Sequence, residues 1–95
     1  MSYQVRFAVA AARQFRKLTS QEQGRIRGAL EKVAARPPGQ RGGKTLKVIR
    51  RRDDRFFRLR LGDYRVMFDV LAEERVVLVL GVIHRSDLER WLRGR

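Results

Sequence analysis

The stretch from Phe56 to Val70, FFRLRLGDYRVMFDV, constrains this chain more than any other part of it. Two runs of alternating residues flank Gly62-Asp63, and successive side chains on a strand point to opposite faces. A two-residue hairpin loop at Gly62-Asp63, with glycine supplying the positive φ such turns need, fixes the pairing. Leu61 then lies opposite Tyr64, Leu59 opposite Val66 and Phe57 opposite Phe68, which makes one face wholly apolar. The same register sets Arg60 opposite Arg65 and Arg58 opposite Met67. Three guanidinium groups thus converge on the other face, although like charges across a strand pair are destabilising. A polyanion lying there accounts for the crowding. The alternative is a solvated face whose charges find partners such as Asp69.

The remaining elements follow from period and punctuation. Tyr3, Val5 and Phe7 alternate with Gln4 and Arg6 as a half-buried strand does. From Val9 to Leu18 the period becomes helical, with Ala11, Phe15 and Leu18 inward and Arg13, Arg16 and Lys17 outward. Ser20 with Gln23 reads as a capping box opening a second helix. Its buried stripe is Ile26, Leu30 and Val33, flanked by Ala29, and Pro37-Pro38-Gly39 stops it. Two helices so closely joined are expected to pack as an antiparallel hairpin.

A basic, glycine-bearing loop over 40–44 precedes a short strand at Leu46, Val48 and Ile49, and Arg50 to Asp54 reads as a charged turn. Leu71 to Glu74 is a polar turn. Arg75 to Ile83 is apolar on both faces, as a strand inside a sheet is, and Gly81 marks a bulge or a close backbone approach. Ser86 or Asp87 caps a short helix over Leu88 to Arg93, with Leu88 and Trp91 or Leu92 packing back. The expected class is α+β, in a single domain over residues 1–95. It comprises an N-terminal strand, an antiparallel helix hairpin, a meander of about four antiparallel strands and a short C-terminal helix. The helices cover one face and the arginines occupy the other, partly open one.

The net charge is +13, and residues 41–65 hold ten basic groups against three acidic ones. A field of that sign and placement attracts nucleic acid. A membrane surface is the poorer match without a basic amphipathic helix bearing bulky anchors, and no apolar stretch approaches 18 residues. The start shows no signal-peptide apolar core. The absence of cysteine removes disulfides and thiolate metal sites and suits a reducing cytoplasm.

One histidine with scattered carboxylates supplies no recognisable metal-ligand set, and Gly39, Gly42 and Gly43 lack phosphate-loop spacing. No metal or cofactor is expected. RNA cleavage by the ribose 2′-OH stays open, because it needs only alignment and fixed donors for the charge that builds on the phosphorane. Arginine suits that work, its planar fork meeting phosphate oxygens two at a time. Arg85 is a candidate fourth donor, or else a structural partner of Asp87 or Glu89. Lys44, Lys47, Arg50, Arg51 and Arg52 are candidate RNA contacts, although a run of three arginines also reads as an ordinary solvated loop.

Several segments together resemble the RelE/ParE superfamily of type II toxin–antitoxin toxins, and its RelE branch most. They are YQVRF at the start, RKLTSQEQGRI, RPPG with KTLK, the hairpin FFRLRLGDYRVMFDV, and VVLVLGVIHRSDL. The resemblance covers nearly the whole chain and implies a toxin that cuts mRNA in the ribosomal A site by 2′-OH attack. It also implies a cognate antitoxin wrapping the basic surface, the two forming a higher-order complex. Family active-site positions fall on Arg58, Arg60, Arg65 and Arg85. The family often has lysine where Arg58 and Arg60 stand, and a tyrosine shortly after the HR motif, where this chain has Glu89, Arg90 and Trp91. Acid–base help is then expected from His84, from Glu89 or from the ribosome. A ParE-like inhibitor of DNA gyrase and an RNA- or antitoxin-binding module of weak activity are the alternative readings.

Overall fold

The computed structural model describes residues 2–38, 46–51 and 54–95. The chain runs β1 (Gln4–Phe7), α1 (Val9–Arg16), α2 (Ser20–Ala35), β2 (Leu46–Arg51), β3 (Asp54–Leu61), β4 (Tyr64–Leu71), β5 (Val76–His84), a single 3-10 turn (Arg85–Asp87) and α3 (Leu88–Arg93). The strands form one mixed sheet in the order β1-β5-β4-β3-β2. β2 to β5 are a meander, and β1 lies parallel to β5. This is the α+β class that the pattern of elements predicts, in the RelE-like arrangement that the resemblance implies.

The hairpin register is the one read from the sequence. Phe57 faces Phe68, Leu59 faces Val66, Arg60 faces Arg65 and Leu61 faces Tyr64, and Gly62 takes φ 58°. On the apolar face Phe57 and Phe68 stack at 5.3 Å. Ala11 and Phe15 of α1 and Ile26 and Leu30 of α2 close over them with Val66, Val77, Val79 and Val82.

Several boundaries differ from expectation, each for a local reason. The capping box is Thr19 with Glu22, not Ser20 with Gln23. Thr19 is the extended residue (φ −65°, ψ 160°), its hydroxyl accepts from Glu22 N, and Glu22 accepts from Thr19 N. Gln23 instead donates to the Leu18 carbonyl at 3.0 Å, satisfying an acceptor at the end of α1. The third buried residue of α2 is Ala34, with Val33 half-buried beside it. β2 runs on to Arg51 and β3 starts at Asp54, so Arg50, Arg51 and Asp54 belong to strands. Neither Ser86 nor Asp87 caps the last helix with its side chain. His84 Nδ1 caps the preceding turn, accepting from Ser86 N.

The largest difference concerns the second face. Helices were expected over one side only, but α3 docks on the other and builds a second core there. Leu88, Trp91 and Leu92 pack on Phe56, Met67, Ile83 and their neighbours Ile49 and Leu80. The Phe56 ring meets Trp91 edge-on at 5.5 Å. Gly81 makes this possible. A slip in the β4–β5 register between Met67 and Phe68 sets Gly81 opposite Met67, and a Cβ on Gly81 would fall 2.8–3.0 Å from the Trp91 indole. Gly81→Ala should therefore cost about 1–3 kcal/mol, as overpacking does, and shift Trp91 fluorescence. An unchanged melting curve with unchanged emission would show that α3 does not sit where described.

Candidate nucleic-acid interface

The arginine face is built from the hairpin outward. Arg58 and Arg60 share one side of β3, with Arg65 across from Arg60 on β4 and Lys47 of β2 across from Arg58. α3 covers the far part of this face, leaving the end near the Gly62-Asp63 turn. β5 ends at His84, so the chain bends at Arg85 and brings a fourth guanidinium to that end. The bend is pinned by the Arg85 N–H, which donates to the Asp63 carbonyl at 2.7 Å. Arg85 Nε then lies 3.5 Å from an Asp63 carboxylate oxygen, both side chains being largely exposed. The partner of Arg85 is therefore Asp63, not Asp87 or Glu89, and Asp87 pairs with Arg90 at 2.9 Å.

The electrostatics of Arg65 report how close these groups are. Its pKa is lowered first by its own burial and then by Arg58, Arg60 and Arg85, while Asp63 pulls the other way. Its Nη1 donates to the carbonyls of Gly62 at 2.9 Å and Tyr64 at 3.0 Å, which holds the side chain over the turn. Arg58 is half-buried, and its Nε–H is buried without an acceptor among the described residues. Asp69 makes no ion pair with these arginines among the described residues; its carboxylate accepts from Val70 N at 2.8 Å. Among the described residues four arginines stand against one nearby carboxylate, a preformed set of donors whose repulsion Asp63 relieves only in part.

The other candidates are placed less centrally. His84 lies across from Tyr64, on the helix side of the sheet, with the two rings edge to face at 5.6 Å. Its Nδ1 accepts from Ser86 N at 3.2 Å and is 2.8 Å from Ser86 Oγ, which in the neutral ring leaves the proton on Nε2. Glu89 is exposed in the first turn of α3. Arg50 pairs with Arg55 on the helix side of β2–β3, away from the cluster, and Arg51 is the backbone register partner of Asp54. Lys44 and Arg52 fall outside the described residues. The sequence reading missed Asp63 as a partner in the site. Its place in the turn was the available signal, because a hairpin loop lies beside whatever follows the next strand.

Tyr64 adds a link to the helices. Burial, then the charge of Glu22 and a hydrogen bond to it, push the phenol above its ordinary value. Tyr64 and Glu22 line one pocket, which sets the turn beside the start of α2. Among the described residues no helix is long and apolar enough to cross a membrane.

The model of the family described as "ParE toxin of type II toxin-antitoxin system, parDE" matches residues 5–89. The chain belongs to this toxin family. Its solved neighbours place it on the RelE branch of the RelE/ParE superfamily. The toxin is similar to a chain of the RelBE2 toxin–antitoxin complex of Mycobacterium tuberculosis, at 27% identity and a TM-score of 0.73, covering 92% of this chain and 95% of that one. It is similar to a chain of the E. coli RelBE complex at 26% identity and a TM-score of 0.60, covering 85% and 94%. The archaeal RelE–RelB complex of Pyrococcus horikoshii, at 23% identity, shares the fold with a TM-score of 0.71, covering 90% and 98%. No curated protein gives a significant match to this toxin.

Proposed function

We propose that this toxin is a ribosome-dependent endoribonuclease that cuts A-site codons by attack of the 2′-OH on the adjacent phosphate, without a metal. The observation that supports it is the convergence of Arg58, Arg60, Arg65 and Arg85 on one exposed end of the sheet, where a phosphate would relieve their repulsion. Arg65 and Arg85, held by turn carbonyls and by Asp63, offer fixed donors to the phosphorane oxygens. Arg58 and Arg60 hold the flanking backbone, and Lys47 extends the track. Lys44, Arg51 and Arg52 are proposed to lengthen it, while Arg50 contributes through the long-range field.

Arginine does not deprotonate, so none of the four takes the 2′ proton. His84 and Glu89 are the candidate acid–base groups within the chain, and the ribosome is the alternative source. The toxin is proposed to act in the cytoplasm. Its proposed partners there are the ribosome, mRNA and a cognate antitoxin in a higher-order complex; the antitoxin is favoured by the similarity to toxins solved as toxin–antitoxin complexes.

The test is primer extension on a message translated in vitro with the purified toxin. Cleavage within codons that disappears when ribosomes are omitted is the expected result. The ParE description of the matched family favours a second reading, inhibition of DNA gyrase. Loss of supercoiling activity with intact message would select that reading and reject the first.

A further inference from the structure

β5 reaches further along the sheet than β1 does. Their last pairing is Phe7 with Val79, so beyond it the outer edge of β5 faces no strand among the described residues. The Arg85 N–H donates toward β4, to the Asp63 carbonyl. In an antiparallel ladder successive residues turn their backbone groups alternately toward and away from the partner strand. His84 and Val82 therefore turn theirs outward, and the Val82 N–H donates at 2.8 Å to Oε1 of Gln14 on α1. The Val82 carbonyl and the His84 N–H have no partner among the described residues. Folded proteins seldom leave such groups unpaired away from water.

This edge lines a pocket of about 460 Å³ between the end of α1 and α3, a size common for small-ligand sites. Tyr64 and Trp91 give it aromatic walls and Leu18 an apolar one, while Lys17 and Arg90 stand exposed beside it. An added strand would need a longer run of free groups than the two left between Gln14 and the bend at Arg85. A planar ring needs no more than two or three. An unstacked RNA base, packed on aromatic rings and read along its Watson–Crick edge, meets that description.

Gln14 spends its Oε1 on Val82, so its Nε2 keeps both protons to donate. The pocket thus offers donor, acceptor, donor in Gln14 Nε2, the Val82 carbonyl and the His84 N–H. Uracil presents the complement, a ring N–H between two carbonyl oxygens. Cytosine and adenine would set a ring-nitrogen acceptor against the Val82 carbonyl, and guanine a second donor against Gln14. We infer that this pocket binds a uracil of the RNA substrate and that Gln14 determines the choice of base. The inference rests on the nuclease reading above and adds which base it selects. Val82 and His84 lead directly into Arg85, and Tyr64 into Arg65, so the base belongs to a nucleotide beside the phosphate those arginines hold.

The test titrates the full-length toxin with the four nucleoside 5′-monophosphates, followed by amide proton–nitrogen correlation spectra, and maps cleaved codons in the ribosome assay. UMP should move the His84 amide proton downfield as it gains an acceptor, and should bind about tenfold more tightly than CMP. Cleavage should favour codons with uridine beside the cut. Gln14→Glu keeps an oxygen for the Val82 N–H and replaces the Nε2 donor by an acceptor. Guanine is then the complement, so preference should pass from UMP to GMP by about tenfold, in binding and in cleaved codons. A residue that merely braced α1 against β5 would produce no such exchange. Equal affinity for the four nucleotides, with shifts confined to Lys17 and Arg90, overturns the pocket. So does a His84 amide that answers to a protein partner and to no nucleotide. Cleavage without uridine preference rejects the pocket and keeps the nuclease. UMP bound at His84 in a toxin that cuts no message rejects the nuclease and keeps the pocket.

Discussion

Arg60→Ala and Arg65→Ala should each lower ribosome-dependent cleavage about 10²–10³-fold, the usual loss when one fixed donor to a transition-state charge is removed. Stability should not fall in step. Arg60 is exposed and faces Arg65 directly, so its removal takes away repulsion and no packing. For Arg65 the lost bonds to the Gly62 and Tyr64 carbonyls, about 1 kcal/mol each at most in net terms, are offset by relief from three neighbouring cations. A site that lowers activity steeply while leaving or raising the melting temperature is the signature of residues kept for chemistry. Charge reversal should do more, and Arg65→Glu with Arg85→Glu should abolish both cleavage and growth arrest. A folded double variant that still arrests growth would end the nuclease reading.

Phe56→Ala should destabilise the toxin by about 3–5 kcal/mol, the range for emptying a buried aromatic site. Against a net stability of about 5–15 kcal/mol for a native domain, that is a large share. Phe56 is 1% exposed, although it lies on the side of the sheet away from α1 and α2. It is covered by Trp91 and by the Arg95 guanidinium, 5.3 Å from its ring and paired with Asp54 at 2.8 Å. Urea titration measures the effect. A loss below about 1 kcal/mol would mean that α3 is not a standing part of the fold, since Trp91 of α3 and the tail residue Arg95 cover this ring.

The hairpin was legible because its alternation admits one register and a glycine at one point only. The helices were legible from their apolar period, and their ends were not. Thr19 and Ser20 both carry a hydroxyl, and what separates them is which residue keeps an extended backbone, a matter decided by how α1 hands over to α2. The three site arginines of the hairpin could be grouped from local pairing alone. The partner of Arg85 could not, because Asp63 is brought to it by the fold of β4 onto β5. The destination of α3 was hidden for a related reason. A six-residue helix with Leu88, Trp91 and Leu92 satisfies either face, and only the bare surface at Gly81 selects one.

The two-faced character of β3 has a consequence for how such a toxin can fail. Inserting or deleting one residue in that strand would turn Phe57 and Leu59 outward and force Arg58 and Arg60 into the apolar interior. Frame slippage within the strand therefore destroys the whole molecule rather than merely disarming it. Harmless descendants of this chain should arise by single replacements at the guanidinium positions, keeping their shape and their hold on a neutralising partner.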